Sequence, residues 1–166
     1  MLSSQKMYAL AILLGLIIAS TLVGCNDQRS QEQLDEEFLT AAGLGDIQHV
    51  QTLLEQGADV NSRADAVDNI PAGITPLMFA SARNHKDVVM FLLEHGANVN
   101  QEDDAGGTAL IYAVWKSHKD IVAVLIDKGA DILITTSDGR SPLSVASDEG
   151  HTDIHAMLTK KVNAHK

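Results

Sequence analysis

Hydrophobic residues in this chain form two kinds of run. Met7 to Val23 contains no charged side chain and reads as one uninterrupted apolar segment. Further along, the apolar positions break into short clusters: Leu77, Phe79 and Ala80 precede Val88, Val89, Phe91, Leu92 and Leu93. Leu110, Tyr112 and Ala113 likewise precede Ile121, Val122, Val124, Leu125 and Ile126. Such spacing places each cluster on one face of a helix, so each pair of clusters predicts two short helices. The polar pairs Asn84-His85 and Ser117-His118 fall between them and are expected to end the first helix and reverse the chain.

The clusters are copies of one another. Gly129-Ala130 follows Gly96-Ala97 by 33 residues, and the same interval separates His85, His118 and His151, and Thr75, Thr108 and Ser141. Gly57-Ala58 precedes Gly96-Ala97 by 39, which is the same period with six residues inserted between Asn61 and Thr75. Within each unit the hydroxyl residue suits a helix N-cap, and the proline or alanine after it suits the first helical position. Gly96 and Gly129 suit the left-handed residue that ends the second helix. Neither short helix can bury its apolar face alone, so neighbouring units must stack to make a core.

The unit pattern resembles the ankyrin repeat. GITPLMFASARNHKDVVMFLLEHGANVN from Gly73 and GGTALIYAVWKSHKDIVAVLIDKGADI from Gly106 carry its glycine, T-P-L-like start, central histidine, paired apolar residues and closing G-A. GRSPLSVASDEGHTDIHAML from Gly139 stops after its second helix, and FLTAAGLGDIQHVQTLLEQGADVN from Phe38 lacks the T-P-L start, as a leading unit often does. Met78, Ile111 and Ser144 replace the family's first-helix histidine, and Ala109 replaces its proline. The resemblance implies an all-α fold, a solenoid of about four helix-turn-helix units joined by β-hairpin loops. The repeat domain is expected over 35–163, with units near 35–67, 68–102, 103–135 and 136–163.

The apolar segment at the start has one lysine, Lys6, ahead of it and ends in Leu22-Val23-Gly24-Cys25. At 17 residues, Met7 to Val23 is borderline against the roughly 20 needed for an uncleaved helix to cross a bilayer, so the end of the run separates the two readings. Its outline is that of a secretory signal, and its last four residues resemble the lipobox of bacterial lipoproteins. That resemblance implies removal of residues 1–24, lipidation of Cys25 and attachment to the membrane through acyl chains. Residues 25–34, polar and without apolar periodicity, are expected to form a tether. By the same resemblance, Asn26-Asp27 after the cysteine favours the outer membrane over the inner, with the protein facing the periplasm.

Charge narrows the partner. The chain has a formal net charge of −10, a value that argues against a broad nucleic-acid footprint and favours a partner with a basic surface. A single cysteine excludes an internal disulfide. Seven histidines suggest metal binding, but His85, His118 and His151 recur one unit apart, too far for one ion with bonds near 2 Å. They are expected to make structural hydrogen bonds at the inter-helix turns. No nucleophile elbow, phosphate loop or zincin pattern is present, so no catalytic residue, metal or cofactor is expected. Acidic pairs such as Asp103-Asp104 and Asp148-Glu149 read as solvated turn residues.

In the ankyrin family, partners are contacted by hairpin tips and by the two residues before the turn that follows the first helix. On this chain the second set is Gly43-Leu44, Ala82-Arg83, Trp115-Lys116 and Asp148-Glu149. The tips contribute Ile74, Asp104, Gly107, Asp138 and Arg140, and the inserted loop contributes Asp65, Asp68 and Asn69. Trp115 is the only tryptophan. These expectations describe a membrane-tethered, non-enzymatic module for a protein partner. Bacterial proteins of this appearance include immunity proteins against periplasmic toxins and accessory factors for catalase in oxidative stress. An enzyme or metal-dependent protector is the remaining alternative.

Overall fold

The computed structural model describes residues 30–65 and 71–164. The apolar segment, Cys25, and the loop residues Asp68 and Asn69 lie outside that range. Among the described residues there are eight helices in four antiparallel pairs: α1 Gln31–Leu44 with α2 Ile47–Glu55, α3 Pro76–Ala82 with α4 Lys86–Glu94, α5 Ala109–Trp115 with α6 Lys119–Asp127, and α7 Pro142–Asp148 with α8 Thr152–Ala164. First helices stack on first helices and second on second, which gives the expected all-α solenoid.

Local chemistry fixes where each helix starts. The hydroxyls of Thr75, Thr108 and Ser141 accept from the backbone N–H three residues on, and Asp46 does the same for α2. Each such bond satisfies one of the orphan donors of a helix N-terminus and contributes roughly 1 kcal/mol. The turn between paired helices needs a left-handed residue. Gly45 and Gly150 supply it at the ends of the stack, whereas Asn84 and Ser117 adopt φ 65° and 60° in the middle units. That position explains why a polar pair breaks the first helix.

Two columns of side chains hold the stack. Ala41, Ala80, Ala113 and Ala146 occupy one register of the first helices and are buried, which lets those helices approach closely. Leu53, Leu92, Leu125 and Leu158 do the same on the second helices. The loops between units interlock in a repeating way. The Asn61 side chain accepts from the Asn98 N–H at 2.7 Å and donates to the Gly96 carbonyl, and Asn100 repeats both bonds with Asp131 and Gly129. Leu133 stands at the next such position and is 67% exposed, so the bracket ends there.

One detail differs from the sequence expectation. Helix α1 begins at Gln31 and buries Leu34, because Leu34, Phe38, Ala41 and Ala42 share one face; the tether therefore gives way to helix before residue 35. The described loops contain no strand, yet each turns as a hairpin: an antiparallel bridge joins Ala64 and Ile74 at the base of the inserted loop, and Asp103 N–H to the Gly107 carbonyl and Thr136 N–H to the Arg140 carbonyl, both at 2.9 Å, close the next two. Successive tips join by single backbone bonds, Asp104 N–H to the Ala72 carbonyl at 3.0 Å and Ser137 N–H to the Ala105 carbonyl at 2.9 Å.

Candidate functional site

The C-terminal ends of the first helices form one exposed edge, and the repeat decides what stands on it. Gly43, Ala82, Trp115 and Asp148 share one register; Leu44, Arg83, Lys116 and Glu149 share the next. Trp115 is 46% exposed and Leu44 69% exposed, so two large apolar side chains remain in water on this edge. The Lys116 ammonium lies 4.2 Å from the Trp115 ring centroid, and the Arg83 guanidinium 4.9 Å from that of Phe79. Cations this close to an aromatic face are attracted by its quadrupole. Gly43 leaves room for Phe79, since any side chain there would run into the ring.

The histidine row explains why this edge is firm. The Nε2 atoms of His85, His118 and His151 bond to the carbonyls of Gly43, Ala82 and Trp115 at 3.0, 3.2 and 3.3 Å. Each histidine thus ties its own turn to the C-terminal end of the preceding first helix, in the structural role expected of it. The bond reaches across units, which spacing alone did not reveal. Among the described residues, no group of three or more histidine, cysteine, aspartate or glutamate side chains converges on a point.

The tips divide into buried and exposed positions. Ile74 was placed among the partner contacts, but it is only 3% exposed, because its bridge to Ala64 turns the side chain into the core. Asp103 is a second correction: it is 5% exposed rather than a solvated turn residue. Its carboxylate accepts from the N–H groups of Ala105 and Gly107 at 2.8 and 2.7 Å and from the Tyr112 hydroxyl at 2.6 Å. Gly107, offered as a tip residue, is buried against it; a Cβ there would lie 2.6 Å from that carboxylate. Burial holds the Tyr112 hydroxyl well above the usual phenol range, and its bond to the Asp103 carboxylate and that group's charge add to the effect.

Asp104, Arg140 and Asp65 do stand exposed. Asp104 pairs with Arg63 at 2.6 Å, and Arg63 also donates to the Glu102 carbonyl at 2.7 Å, so the base of the inserted loop is pinned to the next tip. Arg140 pairs with Asp138 at 2.8 Å. The Thr136 hydroxyl donates to Asp138 and, ahead of Arg140, holds its carboxyl below the usual carboxylate range. Both pairs are solvent-exposed, where such contacts contribute little. Sequence reasoning missed Phe79 and Tyr112; the position of Phe79 four residues before Arg83 was an available signal, whereas no spacing rule ties Tyr112 to Asp103.

A cavity of about 350 Å³ lies elsewhere, lined by residues of α6, the following turn and Lys161 of α8. Its polar groups include the Asp127–Lys161 pair at 3.6 Å.

A sequence profile of the family described as ankyrin repeats, in three copies, matches residues 38–136. Ankyrin repeat domain-containing protein 40 of Mus musculus and of Homo sapiens is 46% identical over 68 residues, covering 41% of this chain and 17% of that protein. Ankyrin repeat, SAM and basic leucine zipper domain-containing protein 1 of Homo sapiens is 38% identical over 73 residues, covering 44% of this chain and 14% of that protein. The chain thus spans less than a fifth of the length of these relatives.

Proposed function

The chain belongs to the ankyrin repeat family, and from that premise we propose that it is a non-enzymatic protein-binding module that meets its partner along the edge carrying Leu44, Phe79, Arg83, Trp115 and Lys116. The observation that carries this reading is the half-exposed Trp115 beneath the Lys116 ammonium. Tryptophan and arginine are the residues most often found to dominate binding at interfaces. The histidine bonds beneath the edge hold its backbone in place, so a partner meets a preorganised surface. A net charge of −10 supports long-range attraction of a partner that is basic overall.

The lipobox-like Leu22-Val23-Gly24-Cys25 supports an anchored protein whose repeats face the periplasm, with the outer membrane favoured. In that setting the partner is a periplasmic protein, and the reading chosen is immunity, in which the repeat edge covers a toxin's active site. An accessory role toward catalase in oxidative defence is the second reading. Attachment through Cys25 has its own check: mass spectrometry of the protein purified from membranes is expected to give a chain that begins at Cys25 and carries the added mass of acyl chains. A membrane-recovered chain with an unmodified Cys25 would dismiss the lipid anchor.

Crosslinking and affinity capture of the full-length protein from its own envelope tests the binding face. A specific protein is expected with the unaltered chain, and its recovery should fall by about tenfold or more for Trp115→Ala, as for removal of an interface hot spot. Equal recovery with the variant would move the contact to another face.

A further inference from the structure

The edge has an internal charge order that the net charge conceals. Position by position along the stack, the register of Leu44 reads leucine, arginine, lysine and glutamate at 44, 83, 116 and 149. The adjoining register reads glycine, alanine, tryptophan and aspartate at 43, 82, 115 and 148. One end is apolar, the middle is cationic and aromatic, and the far end carries two carboxylates. Arg63, Lys119, Arg140 and Lys161 all have carboxylates within 4 Å. Among the described residues, Arg83 and Lys116 have none, as is also true of Lys86, Lys128 and Lys160, but of these five only Arg83 and Lys116 lie over an aromatic ring. The Asp148 and Glu149 side chains are exposed as well, without a cation in ion-pair contact among the described residues.

Resting on the reading of this edge as the binding face, we infer that it takes a segment of a partner protein in one polarity. Acidic side chains of that segment lie over Arg83 and Lys116, an apolar or aromatic one lies on Trp115, and a basic one meets Asp148 and Glu149. Charge complementarity carries the assignment. A carboxylate arriving at Arg83 or Lys116 meets a cation held on an aromatic ring and not neutralised by the chain's own acids. The reverse orientation places like charges together at both ends, which is the arrangement that specific interfaces use to reject a wrong partner. A partner that is basic overall satisfies the same rule if the docked segment itself carries both signs in this order.

Random peptide display against the immobilised full-length protein tests this. Enriched peptides are expected to carry aspartate or glutamate at one end and lysine or arginine at the other. Their affinity should fall at least about tenfold for the Arg83→Glu/Lys116→Glu double variant and recover when only the peptide's acidic residues are replaced by lysine. The same peptides should weaken as salt is raised from about 50 to 500 mM, where screening shortens to a few ångströms. Peptides that need Trp115 but are indifferent to the charge reversals would overturn the polarity and keep the binding face. Enriched peptides that are uniformly basic would also overturn it. Binding unaffected by Trp115→Ala, or no enrichment at all, would remove both the polarity and the face.

Discussion

Asp103→Ala is expected to lower the free energy of unfolding by about 3 kcal/mol, because it strips the acceptor from three donors at a place that water reaches poorly. The Gly107 N–H and the Tyr112 hydroxyl both point at this carboxylate, and the residue is almost wholly enclosed. Gly107 has no side chain to close the gap. Asp103→Asn keeps an acceptor oxygen but turns an amine toward donors, so an intermediate loss is expected. Tyr112→Phe removes one bond and should cost only about 1 kcal/mol. Urea unfolding of the three variants gives the order. An Asp103→Ala protein within about 0.5 kcal/mol of the parent, the range of ordinary surface substitutions, would mean that the clamp contributes nothing.

The same pair predicts a pH dependence. The folded state raises the Tyr112 pKa above the unfolded value, so the stability linked to it is fully present below that value, near 10, and is lost as pH rises beyond it. Tyr112→Phe should flatten that part of the alkaline limb. An unchanged slope would show that the hydroxyl does not titrate later in the folded chain.

Why the period was legible and this clamp was not follows from what repeats. Caps, turn residues, leucines and histidines recur every 33 positions because each unit meets the same mechanical demand. Asp103 answers to a local one. Its register holds Ile70 in the preceding unit and Thr136 in the next, so no period marks it, and its neighbour Asp104 looks identical in sequence yet stands in water. The register of Ile74 shows the same limit. Its three members are a buried isoleucine, Gly107 pressed on a carboxylate, and Arg140 exposed and paired with Asp138. Tip positions are set by contacts within each tip that differ from one unit to the next, so the period carries no record of them. Helix α1 escaped for a related reason: its polar first turn resembles a tether until the burial of Leu34 against the stack is known. The binding edge was more legible, since its residues follow from the register alone, but the rings beneath Arg83 and Lys116 required the fold.

Leu125→Ala is expected to cost about 4 kcal/mol, toward the upper part of the range for emptying a well-packed leucine site. Leu125 is fully buried in the leucine column, with units on both sides. In a stacked array stability is a sum of unit terms and nearest-neighbour terms, so a lesson in one interior unit weakens two interfaces while one at the end weakens a single interface. Leu158→Ala, equally enclosed but in the last unit, should therefore cost less, about 2 kcal/mol. The terminal unit also lacks the loop bracket, because Leu133 replaces the asparagine that ties earlier units together. Native-state hydrogen exchange should accordingly show α7 and α8 opening before α3 to α6, and Leu158→Ala should hasten the first without reaching the second. Leu125→Ala should instead raise exchange in its own unit, α5 and α6, and in the units on both sides of it. Uniform exchange across the stack, or equal costs for the two leucines, would mean that the units unfold as one cooperative block and that the missing bracket at Leu133 leaves the last unit no looser than the rest.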